Sequence, residues 1–215
     1  MVRLILVRHG QSRSNVDALL DSDLPGAPLT PTGEQQAAAL PGRLADERIE
    51  RVVASPLRRT VQTATPLADA LGLPLPTDLG LREVRSGDLE MRNDRAAHLA
   101  YLEPVSAWTD GDLAARIPGS PEDGADFLAR YDGAVAAAVD GARDAVVLVS
   151  HGAAIRAWAG IRARNLPDGY GRDRGVPNTG IVVLEGRPGD WRAVSWQEER
   201  CADVDDDPTG AGAAE

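Results

Sequence analysis

At 215 residues with 43% hydrophobic content, the chain has enough apolar material for one sizeable core, so a single domain is the expectation. Asp and Glu (33) outnumber Lys and Arg (23) for a net charge of −10, which disfavours nucleic acid and anionic membrane as partners because their phosphates would meet a repulsive field. No apolar run reaches membrane-spanning length, and Met1-Val2-Arg3 leads straight into a strand pattern with no room for a signal peptide. The single cysteine, Cys201, excludes an intrachain disulfide framework and suits a reducing cytoplasm.

Leu4 to Val7 reads as a first buried strand, ending in Arg8-His9-Gly10. A helix is expected after Thr30-Pro31, through Ala37-Ala38-Ala39-Leu40. Arg51 to Ala54 is a short second strand, and Ser55-Pro56 supplies the N-cap and first-turn proline of the next helix. Another helix runs from Asn93 towards Leu102. Ser120-Pro121 repeats the cap-and-proline pairing, with Asp123 at capping-box spacing. Phe127, Leu128, Tyr131, Val135 and Val139 then form a stripe at helical period. Ala145 to Val149 is a third strand, ending in Ser150-His151-Gly152, and a helix follows. Gly180 to Leu184 and Trp191 to Trp196 pair as a hairpin turning at Arg187-Pro188-Gly189. This order argues for an α/β layered fold with a mainly parallel central sheet. Residues 1–200 form the expected domain, with a cap-like insertion near 92–120; residues 201–215, rich in Asp, Gly, Ala and Pro, read as a disordered acidic tail.

Two of the chain's three histidines share one setting: an apolar run, then histidine, then glycine. Parallel strands place their carboxyl ends along one rim, where ligands bind. If the two runs are neighbours, His9 and His151 emerge there a few ångströms apart, and with Arg8 they make a candidate phosphoryl-transfer centre. Taken singly, either histidine could be a satisfied core residue and Arg8 half of a structural ion pair; the duplication favours the site. Arg58 and Arg59 occupy the first turn of a helix whose positive end prefers acids. Either both are solvated, or at least one faces an anion shared with the helix end.

The stretch Leu6-Val7-Arg8-His9-Gly10-Gln11-Ser12, with Asn15 beyond it, resembles the signature of the histidine phosphatase superfamily, which includes phosphoglycerate mutases. Further segments match in order: Leu29-Thr30-Pro31-Thr32-Gly33-Glu34-Gln35-Gln36-Ala37, Ser55-Pro56-Leu57-Arg58-Arg59-Thr60-Val61-Gln62-Thr63-Ala64 and Val149-Ser150-His151-Gly152. The resemblance implies a three-layer α/β/α sandwich of phosphoglycerate mutase type. It also implies metal-independent, cofactor-free hydrolysis of a small phosphorylated metabolite through a phosphohistidine. His9 would be the nucleophile, its tautomer fixed by the Gly10 carbonyl and its pKa lowered by the arginines. Arg8, Arg59 (rather than Arg58) and His151 would grip the phosphoryl oxygens, Asn15 would add a neutral donor, and Gln11, Gly152 and Asn178 join the substrate-binding set.

Leu81-Arg82-Glu83-Val84 followed by Gly87-Asp88-Leu89-Glu90 resembles the family's acid-bearing segment and aligns Glu83 as proton donor, with Asp88 and Glu90 as competitors. Leu89 replaces the usual tryptophan and Met91 the usual glycine. No His-Asp dipeptide is present, which argues against the secreted acid phosphatase and phytase branch. Residues 92–120, with Tyr101 and Trp108, are expected to cap the pocket by packing, and the 168–180 segment, with Arg172, Arg174 and Asn178, to form a mobile loop. The His-Tyr-Gly segment and larger insertion of cofactor-dependent phosphoglycerate mutases are missing, so phosphatase is preferred to mutase. A catalytically silent phospho-ligand-binding protein is a third possibility. The expected partner is a small phosphorylated substrate, and the expected assembly a monomer or homodimer.

Overall fold

The computed structural model describes residues 1–197 and 199–201; most of the expected acidic tail, from residue 202 on, lies outside them. In chain order the elements are β1 (Val2–Arg8), α1 (Arg13–Val16), α2 (Pro31–Ala38), α3 (Leu40–Arg43), β2 (Ile49–Ala54), α4 (Arg58–Leu71), α5 (Arg95–Thr109), α6 (Gly124–Val139), β3 (Ala145–Ser150), α7 (Gly152–Arg162), α8 (Tyr170–Asp173), β4 (Ile181–Arg187), β5 (Asp190–Trp196) and β6 (Glu199–Arg200).

The strands form one mixed sheet in the order β2-β3-β1-β4-β5-β6. It is parallel where the site lies: β1 and β2 both run parallel to β3, while β4, β5 and β6 continue the sheet antiparallel. β1 and β3 carry near-continuous apolar sequence because both faces of the sheet are covered. Successive side chains point to opposite faces. Leu4, Leu6, Val146, Leu148, Val182 and Leu184 join Phe127, Tyr131 and Trp158 in one core. Ile5, Val7, Val147, Val149, Val52 and Ala54 join Leu40, Ala64 and Leu67 in the other. These two cores, one beneath α5, α6 and α7 and one beneath α3 and α4, make the three layers. The expected β4–β5 hairpin closes with Arg187 opposite Asp190, leaving Pro188-Gly189 as the turn.

Local signals held for α2, where the Thr30 hydroxyl accepts from Gly33 N and Pro31 opens the helix. Both serine–proline caps are corrected. α4 starts at Arg58 with Leu57 as N-cap and no side-chain cap, because the Ser55 hydroxyl is engaged by His151 instead. α6 is capped by Asp123 in a reciprocal box with Asp126, whereas Ser120 lies upstream, its hydroxyl donating to Glu122 O. The helix expected from Asn93 to Leu102 begins at Arg95 behind an Asp94 cap and runs on to Thr109. Among the described residues no helix is long and apolar enough to cross a membrane.

Candidate active site

Parallel pairing in register sets Arg8 opposite Ser150, so His9 and His151 are the next residues out of adjacent strands at one rim. Their ring centroids are 5.3 Å apart with planes inclined at 63°. His9 is held in place by its own turn: Nδ1 lies 2.7 Å from Gly10 O, and Gly10 N donates to the Thr63 hydroxyl at 2.9 Å. A carbonyl can only accept, so Nδ1 carries the proton and the lone pair is on Nε2.

That lone pair faces Arg59. The guanidinium Nε donates to His9 Nε2 at 3.1 Å, and Nη2 reaches His151 Nδ1 at 3.2 Å. Arginine has no acceptor. Both imidazoles therefore accept from one cation, and His151 is left to donate from Nε2 to the Ser55 hydroxyl at 2.8 Å. Burial above all, then Arg59 and Arg8, hold the His9 pKa well below 6.5. Burial and then Arg59 do the same for His151. Arg59 is itself fixed by Asp21: Nη1 pairs with Oδ2 at 3.2 Å and Nη2 donates to the backbone oxygen at 2.6 Å. The Ser14 hydroxyl (2.6 Å) and Ala27 N (2.9 Å) also donate to Asp21 Oδ2.

A cavity of about 140 Å³ opens beside His9, lined among others by Arg8, Ser14, Asn15, Asp21, Arg59, Glu83 and Tyr101. Arg8 leaves β1 with Nη1 donating to Val176 O at 2.6 Å, while its buried Nε has no partner among the described residues. Asn15 accepts on Oδ1 from Ser12 N and from Asn178 Nδ2. Glu83 is seated against the start of α7. Its Oε1 accepts from Val84 N (3.0 Å) and Ala154 N (2.8 Å), and its Oε2 from Ala153 N (3.2 Å).

Not every expected site residue lines this cavity. His151 is fully buried behind Arg59. Gln11 is spent on α2, where its side-chain oxygen accepts from the Thr30 hydroxyl. Asn178 stands behind Asn15 and also donates to His9 O. Gly152 packs under Arg8, where a Cβ would come 3.1 Å from Nε. Of the competing acids, Glu90 is tied up by the Ser22 and Ser86 hydroxyls and by Ser22 N, and Asp88 packs onto Gly119. Trp108 is core, stacked on Phe127; Tyr101 packs with its hydroxyl donating to Val84 O, yet also touches the cavity. Arg172 and Arg174 pair with Asp110 and Glu199 and do not line the cavity. Sequence reasoning missed Asp21 and the Ser55 hydroxyl as partners of the site. Among the described residues no three His, Cys, Asp or Glu side chains group closely enough to hold a metal ion.

Fold and site together define a phosphoglycerate mutase-like α/β enzyme. The chain belongs to the histidine phosphatase superfamily (branch 1), whose family model matches residues 4–199. It is 30% identical over 211 residues to the probable phosphoglycerate mutase GpmB of Salmonella typhi, covering 95% of this chain and 94% of that protein. It is 34% identical over 206 residues to the PE-PGRS family protein PE_PGRS11 of Mycobacterium tuberculosis, but spans only 35% of that longer protein. Among solved structures, a mycobacterial glucosyl-3-phosphoglycerate phosphatase in complex with VO3 superposes with a TM-score of 0.76 at 29% identity, covering 91% of this chain and 98% of that one. A phosphoserine phosphatase (H9A) from Entamoeba histolytica shares the fold, at TM-score 0.75 and 21% identity over 92% of this chain and 98% of its own.

Proposed function

We propose that this chain hydrolyses the phosphomonoester of a small metabolite through a phosphohistidine on His9. The observation that carries the reading is the shared guanidinium: Arg59 donates to the lone pairs of both imidazoles at the edge of a cavity that also holds Arg8 and Glu83. An entering phosphoryl group takes over those donors. Its oxygens replace the imidazole nitrogens as acceptors for Arg59, which frees His9 Nε2 to attack phosphorus in line. As the N–P bond forms, the P–O bond to the alcohol breaks, and Glu83 protonates the leaving oxygen from Oε2, its less engaged atom. The resulting carboxylate then takes a proton from water as that water attacks the phosphohistidine, returning His9 and releasing inorganic phosphate. Arg8, Arg59 and Asn15 hold the equatorial oxygens, and the neutral, Nε2-free state of His9 is kept by burial and the arginines.

Turnover of p-nitrophenyl phosphate in the presence of chelator, with an acid-labile phosphoenzyme trapped from wild type but not from H9A, is the expected result. A label retained in H9A excludes His9 as nucleophile. The name of the Salmonella relative favours a second reading, phosphoglycerate mutase. Incubation with 3-phosphoglycerate and 2,3-bisphosphoglycerate decides it: formation of 2-phosphoglycerate favours the mutase, and release of phosphate alone the phosphatase. A cytoplasmic setting fits the lone cysteine, which is free and buried.

A further inference from the structure

A second, larger hollow of about 540 Å³ adjoins the cavity, and Arg8 and Glu83 line both. The rest of its wall includes Leu102, Gly152, Arg156, Val176 and Pro177. In the reaction proposed above, the leaving oxygen must lie against Glu83, because that is the group that protonates it. The body of the leaving alcohol is therefore carried past Glu83, out of the small cavity and into this hollow.

The hollow has one cation to spare. Arg8 is committed to Val176 O and to the phosphoryl group, whereas Arg156 makes no hydrogen bond or ion pair among the described residues. Arg156 is half-buried, and its guanidinium has no acidic partner among the described residues although the chain carries 33 acids against 23 basic side chains. Its position is fixed by α7. It stands four residues after Gly152, hence on the same helix face, about one turn (roughly 5.4 Å) along the axis from the glycine that supports Arg8. The guanidinium is thus presented on a rigid element beside the exit for the alcohol.

We propose that Arg156 is a specificity-determining residue that receives a carboxylate on the leaving alcohol, which makes the substrate the phosphate ester of a small hydroxy acid. The inference rests on the phosphatase reading. A carboxylate fits better than a second phosphate on two counts. Arg156 supplies a single positive charge in a planar fork that matches a carboxylate in two parallel hydrogen bonds. A dianion in the same place would face Glu83 across the hollow, with Arg8 already engaged by Val176 O and the phosphoryl group and only Arg156 left to balance it.

Pairs of esters that differ only in the acid test this: 3-phosphoglycerate against glycerol 3-phosphate, and 6-phosphogluconate against glucitol 6-phosphate. Wild type should prefer the acid in at least one pair by about 10- to 100-fold in kcat/KM, the scale of a charge-assisted hydrogen bond. R156Q should remove most of that preference by raising KM for the acid, and R156K should keep part of it. A wild-type ratio near one in both pairs overturns the proposal without any variant, as does an R156Q ratio equal to wild type. A bisphosphate preferred over both acids, with the preference lost in R156Q, also overturns the carboxylate assignment. Absence of p-nitrophenyl phosphate turnover in wild type is a different failure, that of the phosphatase reading itself.

Discussion

At the scale of single residues, the site turns on Arg59. It touches both imidazoles and Asp21, and all of these groups are nearly inaccessible to solvent. R59A should lower kcat/KM by about 10²–10³-fold, the loss typical of a preorganised donor to transition-state charge, with R59K recovering only part because an ammonium cannot reach both sides. Steady-state kinetics on p-nitrophenyl phosphate reads this directly; an R59A enzyme within threefold of wild type would remove Arg59 from the chemistry. E83Q should cost alkyl esters about 10²–10⁴-fold and aryl esters much less, since p-nitrophenolate leaves unaided. Equal losses on both esters would point to another proton source. D21A leaves a buried guanidinium without its counter-charge and should cost about 3–5 kcal/mol of stability in urea titrations, part of it recovered by added phosphate. The structure brings His9, Arg8, Arg59, Glu83 and His151 together; the paired histidine-glycine corners pointed to His9, Arg8 and His151, whereas Arg59 and Glu83 were marked by the family resemblance. Asp21 could not be read from the sequence. It sits in an irregular loop with no periodicity, and its importance arises only when that loop folds over Arg59.

At the scale of elements, what places His9 is the crossing of two backbones. The chain leaving β1 passes so close to the first turn of α2 that a Cβ on Gly33 would lie 2.1 Å from Gln11 O, and one on Gly10 2.7 Å from Gly33 O. The glycine within the Leu29-to-Ala37 segment is there because no side chain fits. G33A must push α2 away from the turn that holds the Nδ1 proton of His9. A loss of about 1–3 kcal/mol is expected from overpacking, together with a fall in kcat out of proportion to any change in KM. Measuring both in one preparation separates displacement of His9 from simple loss of folded protein. Helix existence was readable from apolar period and caps, yet two boundaries were misplaced for an instructive reason. Ser55 and Ser120 are good N-cap residues by local chemistry, but each hydroxyl is claimed elsewhere, by His151 and by Glu122 O. A sequence shows which groups can cap, whereas tertiary contacts decide which are free to.

At the scale of the whole molecule, the order of strands makes the site. β1 lies between β3 and β4, so the first and third strands in sequence are neighbours and their histidines meet. Chain order suggested layers and a largely parallel sheet, but the antiparallel half could not be ordered from periodicity alone, since β4 and β5 read only as a closing hairpin and the two-residue β6 carried no signal. The same topology buries both imidazoles in neutral form, and that has a consequence for global stability. In the unfolded chain each histidine titrates near 6.5. In the folded protein burial and Arg59 keep both well below that value. Below pH 6.5 the unfolded state therefore binds protons that the native state refuses, and stability must fall as pH falls, until the depressed native pKa values are reached. Above 6.5 the slope of these two groups fades and is nearly gone by about pH 7.5. With two sites the slope reaches at most about 2.7 kcal/mol per pH unit. Urea midpoints taken between about pH 7.5 and 5.5, above the main carboxylate range, should decline gently at first and most steeply in the lower half of that interval. Replacing His151 by Asn should remove about half of the decline. A midpoint independent of pH across the interval would mean that the native imidazoles take up protons as readily as those of the unfolded chain, which burial beside Arg59 and Arg8 forbids.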